Sequence, residues 1–208
     1  GDVLLHAGDA LAEWARQPRA ELDAFARWLA RQPHRAKVYV AGNHDRCLDP
    51  SLWASPEGAP PPASTFDDAR GVVYLHPARP AARVAGLRFS GSPYSRANAA
   101  SHNCAFQTDD AWVAPPPCDV LVTHGPPYGI LDGGKGCERT RGAVEALQPR
   151  LHVFGHVHEH HGATALGPTL FVNASSCSWW WCATHPPIVC DVLPAATGGG
   201  GAESVRPT

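Results

Sequence analysis

Four short segments of this chain place metal-ligand side chains beside glycine: His6-Ala7-Gly8-Asp9, Gly42-Asn43-His44-Asp45, Thr123-His124-Gly125 and Gly155-His156-Val157-His158. Each follows a run of β-formers: Val3-Leu4-Leu5, Val38-Tyr39-Val40, Val120-Leu121-Val122 and Leu151-His152-Val153-Phe154. Strand ends that converge on one edge can gather such residues round a metal. Asp9 offers two carboxylate oxygens, each able to take a divalent cation; an Asp there also suits the N-cap of a following helix. The amide oxygen of Asn43 is a neutral, hard ligand, and His44 beside it could reach past a metal to a substrate. A Gly-Asn turn accounts for Gly42-Asn43 but not for the His44-Asp45 pair. Gly125-Pro126-Pro127 exposes His124 at a strand tip, where a lone His can also be a structural hydrogen-bonder. His156 and His158, two apart on an extended chain, project to one side. Imidazole is the commonest ligand for transition metals.

Nearby residues carry weaker signals. His152, His160 and His161 read as solvated or supporting histidines. Cys137 precedes a helix, where a thiol can be acidified, and packing explains it equally. Trp179-Trp180-Trp181 reads as a packed or exposed aromatic loop, with stacking on a nucleotide base as the alternative.

Strand and helix alternate in the part of the chain that carries the first two segments. Val3 to His6 is a strand, residues 10 to 32 are helical, and Lys37 to Ala41 is the next strand. Leu22, Phe25, Ala26 and Leu29 share one helical face. Pro18 is expected to split this stretch into two helical pieces, and Pro33 ends it. Such a βαβ unit implies parallel strands and a right-handed crossover. Residues 49 to 64, with Pro60-Pro61-Pro62, form a loop or insertion. Val72 to Leu75 and Arg83 to Phe89 are short strands, the second with a glycine turn. Residues 91 to 117 are irregular. Cys118 to Thr123 is a strand, Arg139 to Leu147 a helix, Leu151 to Phe154 a strand. Ala163 to Leu166 and Leu170 to Asn173 form a hairpin around Gly167-Pro168, and Ile188 to Leu193 is a last strand. The pattern is one α/β domain over residues 1–195 with two facing sheets, followed by a disordered Gly-rich tail over 196–208.

At 208 residues, with 44% hydrophobic and 17% charged residues, the chain can bury a core. A net charge of −2 gives no basic footprint for a nucleic-acid polymer, and every apolar run is too short for a membrane span. Seven Cys, none in a CxxC pair, read mostly as reduced, small, buried residues in a cytoplasmic protein. Oligomeric state is not encoded in any pattern here.

The order Asp9, Asn43-His44, His124, His156-x-His158 resembles the calcineurin-like metallophosphoesterases. Thr123-His124-Gly125-Pro126-Pro127-Tyr128-Gly129-Ile130-Leu131-Asp132 matches that family's third metal segment closely. Within the family the chain resembles the small metallophosphoesterase-domain proteins linked to cyclic nucleotide hydrolysis. The resemblance implies a four-layer α-β-β-α sandwich. It implies a hydrolase that cleaves phosphodiesters of small molecules, with cyclic nucleotides suggested as substrates, by means of a metal-activated water. Asp9, Asn43, His124 and His156 would hold one metal; Asp9 would bridge to a second, shared with His158. His44 would protonate the leaving-group oxygen, worth typically about 10²–10⁴-fold, and Asp45 would orient His44. The metals would be Mn, Fe or Zn, two in the parent enzyme. Gly91-Ser92-Pro93-Tyr94 and Asn173-Ala174-Ser175 resemble segments that return toward the site. The family's Asp-x-His on a leading strand has no counterpart here, so the fold is expected to start one strand late and to hold one metal. With no Met in the chain, a fragment of a complete enzyme is the reading favoured. The alternative is a single-metal or inactive relative acting as a binding or scaffold protein.

Overall fold

The computed structural model describes residues 1–12, 16–53, 65–66, 68–98, 104–108, 112–178, 180, 182–193 and 206–207. The β-former runs build two sheets. In the first, β1 (Val3–His6), β2 (Ala36–Val40) and β3 (Val72–Leu75) lie parallel in that order. Helix α1 (Pro18–Ala30) makes the crossover from β1 to β2. The second sheet is built from β4 (Ala81–Val84), β5 (Leu87–Ser92), β6 (Val120–Thr123), β7 (Leu151–Phe154), β8 (Gly162–Leu166) and β9 (Thr169–Asn173), in the order β4-β5-β6-β7-β9-β8. Strands β5, β6, β7 and β9 are parallel, with β4 and β8 antiparallel at the two edges. Helix α2 (Glu138–Leu147) joins β6 to β7.

Period-two alternation decides which layer each residue serves. Val38, Val40 and Leu75 face the second sheet and pack with Phe89, Val120, Val122, Leu151, Val153 and Val172. Tyr39 and Val72 face the other way, onto Leu22 and Leu29 of α1. On the far side of the second sheet, Leu121, Phe154 and Phe171 pack with Val144 of α2. The layers are therefore α-β-β-α. Gly91 sits in the middle layer because a Cβ there would lie 2.7 Å from Val40 Cγ1 and 2.8 Å from Leu75 Cβ. Gly91→Ala should therefore destabilise the fold by about 1–3 kcal/mol through overpacking. A urea midpoint unchanged from the parent would contradict this packing.

Several local expectations need correction. Pro18 does not split a helix; it starts α1 in its first turn, where its missing N–H costs nothing and its fixed φ suits the helix. Residues 10–12 are not helical, because the N–H groups of Ala10 and Leu11 donate to Asp45 Oδ1 at 3.0 and 3.1 Å. Residues 13–15 lie outside the described set. Strand β5 runs on to Ser92, into the segment read as irregular. The β4–β5 hairpin turns at Ala85-Gly86, φ 49° and 83°, the mirror-image turn that matches strand twist. The last strand shrinks to β10 (Cys190–Asp191), paired antiparallel with β11 (Arg206–Pro207). The rest of the expected tail, and residues 54–64 of the expected loop, lie outside the described residues. A cleft of about 590 Å³ opens beside β1, lined by Val3, Leu5, Phe89 and Ile188, and reaches Asp9, His124 and His156.

Candidate metal centre

The turns that follow β1, β2, β6 and β7 carry the site, and glycines let them meet. A Cβ on Gly8 would lie 2.5 Å from His124 Nδ1, and one on Gly42 would lie 2.3 Å from Asp9 Oδ1. Asp9 and His156 both adopt left-handed backbone, φ 57° and 69°. Such conformations cost energy in non-glycine residues and gather at functional sites.

Four side chains from the four turns converge. His124 Nε2 lies 2.8 Å from Asn43 Oδ1, and His156 Nδ1 lies 2.9 Å from the same oxygen. The two ring nitrogens are 3.2 Å apart, and Asp9 Oδ2 is 3.4 Å from His124 Nε2. One ligand atom from each of Asp9, His124 and His156 falls within 4.8 Å of the others. Asn43 is 4% and His124 1% exposed, so water cannot satisfy them.

Protons show whether a cation fits. His124 Nδ1 is 2.8 Å from the Ala7 carbonyl. A carbonyl only accepts, so Nδ1 carries a hydrogen and Nε2 is the ring nitrogen left to ligate. That nitrogen faces a carboxylate oxygen and an amide oxygen. Acceptors aimed at one another in a buried pocket call for a positive charge between them. Burial first, then His124, holds the His156 imidazole down to about 3, so it is neutral at physiological pH. Burial would raise the Asp9 carboxyl, but His124, His44 and His156 outweigh it and hold it below the usual carboxylate range. The donor set, one carboxylate, one amide oxygen and two imidazoles, fits Mn, Fe or Zn.

The other expected site residues take distinct places. The backbone N–H of His44 donates to Asp9 Oδ1 at 3.0 Å, and its Nε2 lies 3.7 Å from Asp9 Oδ2. The Asp45 carboxylate accepts from the Tyr39 hydroxyl and four backbone N–H groups. His158 begins a 3₁₀ turn, His158–His160, and its Nδ1–H donates to the Ser178 carbonyl at 3.2 Å. It lines the same cleft but does not join the convergent group of Asp9, His124 and His156.

Supporting groups surround these. The Asn173 amide donates to Val157 O at 2.9 Å and Leu131 O at 3.1 Å, tying the His156 turn to the loop after His124. The Thr123 hydroxyl donates to Gly125 O and accepts from His152 Nε2, both at 2.8 Å. Sequence reasoning missed Tyr39 and the Ala7 carbonyl. A tyrosine on the face opposite Val38 and Val40 was the one available signal, since a buried hydroxyl needs a partner. Of the Trp run, Trp180 is 80% exposed; Trp179 and Trp181 lie outside the described residues.

Two stacked sheets whose strand ends deliver a carboxylate, an amide oxygen and two imidazoles to one point define a metal-binding α/β sandwich. The profile of the calcineurin-like phosphoesterases matches residues 1–160, and the chain belongs to that family of metal-dependent phosphoesterases. It is 33% identical over 219 residues to metallophosphoesterase domain-containing protein 1 of Homo sapiens, covering 92% of this chain and 65% of that protein. It is 38% identical over 189 residues to a UPF0046 protein of Caenorhabditis elegans, covering 86% and 63%. The chain thus spans just under two thirds of the length of both relatives. Among solved structures, TT1561 of Thermus thermophilus shares the fold, with TM-score 0.55, 15% identity and coverage of 84% of this chain and 77% of that one. Among the described residues no helix is long and apolar enough to cross a membrane.

Proposed function

We propose that this domain hydrolyses phosphodiester bonds of small molecules, cyclic nucleotides among them, with a divalent cation held by Asp9, Asn43, His124 and His156. The observation that supports this most is Nε2 of His124 turned toward Asn43 Oδ1 and Asp9 Oδ2. When bound, the cation supplies Lewis acidity toward a phosphoryl oxygen and makes water a nucleophile near neutral pH. The chain's residues do the rest. Asp9, Asn43, His124 and His156 fix where charge is stabilised. The Ala7 carbonyl holds His124 in the tautomer that can ligate. His44, 7% exposed beside Asp9, gives its proton to the departing alkoxide oxygen. His158, in the same cleft, is the ligand through which a second ion would be held.

The roles separate by leaving group. His44→Ala should slow hydrolysis of a cyclic nucleotide by about 10²-fold or more, the usual value of a general acid. Bis(4-nitrophenyl) phosphate, whose phenolate needs little protonation, should lose much less. Equal losses would remove the proton-donor role and leave charge stabilisation. The scaffold alternative has its own outcome: tight metal binding with no turnover of either ester above the uncatalysed rate.

A further inference from the structure

Asp45 is fully buried and is the most heavily hydrogen-bonded carboxylate beside the metal ligands. Its Oδ2 accepts from Gly42 N at 2.7 Å, the Tyr39 hydroxyl at 2.8 Å and Asp9 N at 3.0 Å. Its Oδ1 accepts from Ala10 N and Leu11 N. A carboxylate has about four lone-pair sites, so five donors saturate it. Two of those donors belong to the turns that carry ligands. Asp9 N–H is the ligand residue's own backbone, and Gly42 N–H immediately precedes Asn43.

The geometry makes the choice of residue informative. Asp9 is held at φ 57°, a conformation that needs an external restraint. With that backbone fixed, its carboxylate can only be aimed over a narrow range. Its Oδ1 is already tied to His44 N–H at 3.0 Å, which leaves Oδ2 facing His124. Placing a second buried carboxylate next to Asp9 is costly. A neutral cap would avoid that repulsion, but an Asn would turn its NH₂ toward donors. Only a carboxylate accepts on both oxygens at once, from Gly42, Asp9 and Tyr39 on one side and Ala10 and Leu11 on the other.

We propose that Asp45 is a positioning residue for the metal: it locks the Gly8-Asp9 and Gly42-Asn43 turns together across β1 and β2, so that Asp9 Oδ2 and Asn43 Oδ1 meet at one point. The proposal rests on the metal reading above. Tyr39 belongs to the same device, because its hydroxyl holds the Asp45 oxygen that also accepts from Asp9 N–H.

The test is a double-mutant cycle on metal affinity. Chelator-stripped protein is titrated with Zn²⁺ against a chromophoric competitor, with circular dichroism confirming the native fold of each variant. Asp45→Asn should weaken binding about 10–100-fold, as loss of a supporting group does. In an Asp9→Ala background the same change should cost clearly less, because only Asn43 would be left to aim. Tyr39→Phe keeps the ring in the core and serves if Asp45→Asn does not fold. It should weaken binding about threefold in the parent and by less with Asp9→Ala, as coupled groups in contact do. Equal losses in both backgrounds, or unchanged affinity in the folded single variants, would overturn the positioning role while leaving the metal site intact. A parent protein that binds no Zn²⁺ would overturn the metal reading itself and this proposal with it.

Discussion

His124→Ala should abolish tight divalent-metal binding and, with it, the proposed metal-dependent phosphodiesterase activity. His124 is 1% exposed, and its Nε2 lies within 2.8–3.4 Å of Asn43 Oδ1, His156 Nδ1 and Asp9 Oδ2. Truncation also frees the Ala7 carbonyl from its bond to Nδ1 and leaves Asp9 without its strongest charge partner. Loss of a mere supporting group costs about 10–100-fold in metal affinity, so loss of a direct ligand should exceed that. The metal's electrostatic contribution is several kcal/mol, so turnover should fall on the order of 10³-fold or more. Chelator competition and turnover of bis(4-nitrophenyl) phosphate measure the two losses. A variant within about tenfold of the parent on both measures would show that the ion sits elsewhere.

The second large effect is acid lability of the metal-free protein. Burial lowers the pKa of His6 to about 4, and of His152 and His156 to about 3, from 6.5. For all three the folded value lies below the unfolded one. The unfolded chain therefore takes up protons that the folded chain refuses, and stability falls as pH drops below 6.5. Asp45 acts in the opposite direction. Its folded value is raised from 3.8 to about 6, so between these it gives back part of what the histidines lose. Three histidines against one carboxylate leave a net uptake of about two protons on unfolding between about pH 6 and 4, a slope near 2.7 kcal/mol per pH unit at most. His152 is the cleanest reporter, because burial alone shifts it and its Nδ1 has no partner. His152→Gln should cut the slope by about 1.4 kcal/mol per unit. Urea unfolding across this range measures both slopes. A flat profile from pH 6.5 to 4.5 would mean that these rings can be protonated without unfolding.

Parts of this molecule are legible from local chemistry alone. Val72–Leu75 and Leu151–Phe154 are strands with the bounds their β-former runs imply. The strand-end turns announce themselves through glycine, because close approach leaves no room for a Cβ at Gly8 or Gly42. What local chemistry hides is long-range. That residues 10–12 are not helical goes with Asp45 capturing their backbone N–H groups from 34 and 35 residues away, and no window round Ala10 contains that fact. The same bonds draw the Asp45 carboxylate toward the turn after β1, a contact that the stretch beside His44 does not reveal. His158 shows a different failure. Spacing by two places side chains together only on an extended chain, and His156 at φ 69° followed by a 3₁₀ turn is not extended. The backbone strain that brings His156 inward is what sends His158 to Ser178.

Anomalous diffraction from zinc-soaked crystals of this chain tests the central claim most directly. The expected result is a strong peak about 2.0–2.2 Å from Asp9 Oδ2, Asn43 Oδ1, His124 Nε2 and His156 Nδ1 together. A peak confined to the histidines at 158, 160 and 161, with none between Asp9 and His124, would contradict it.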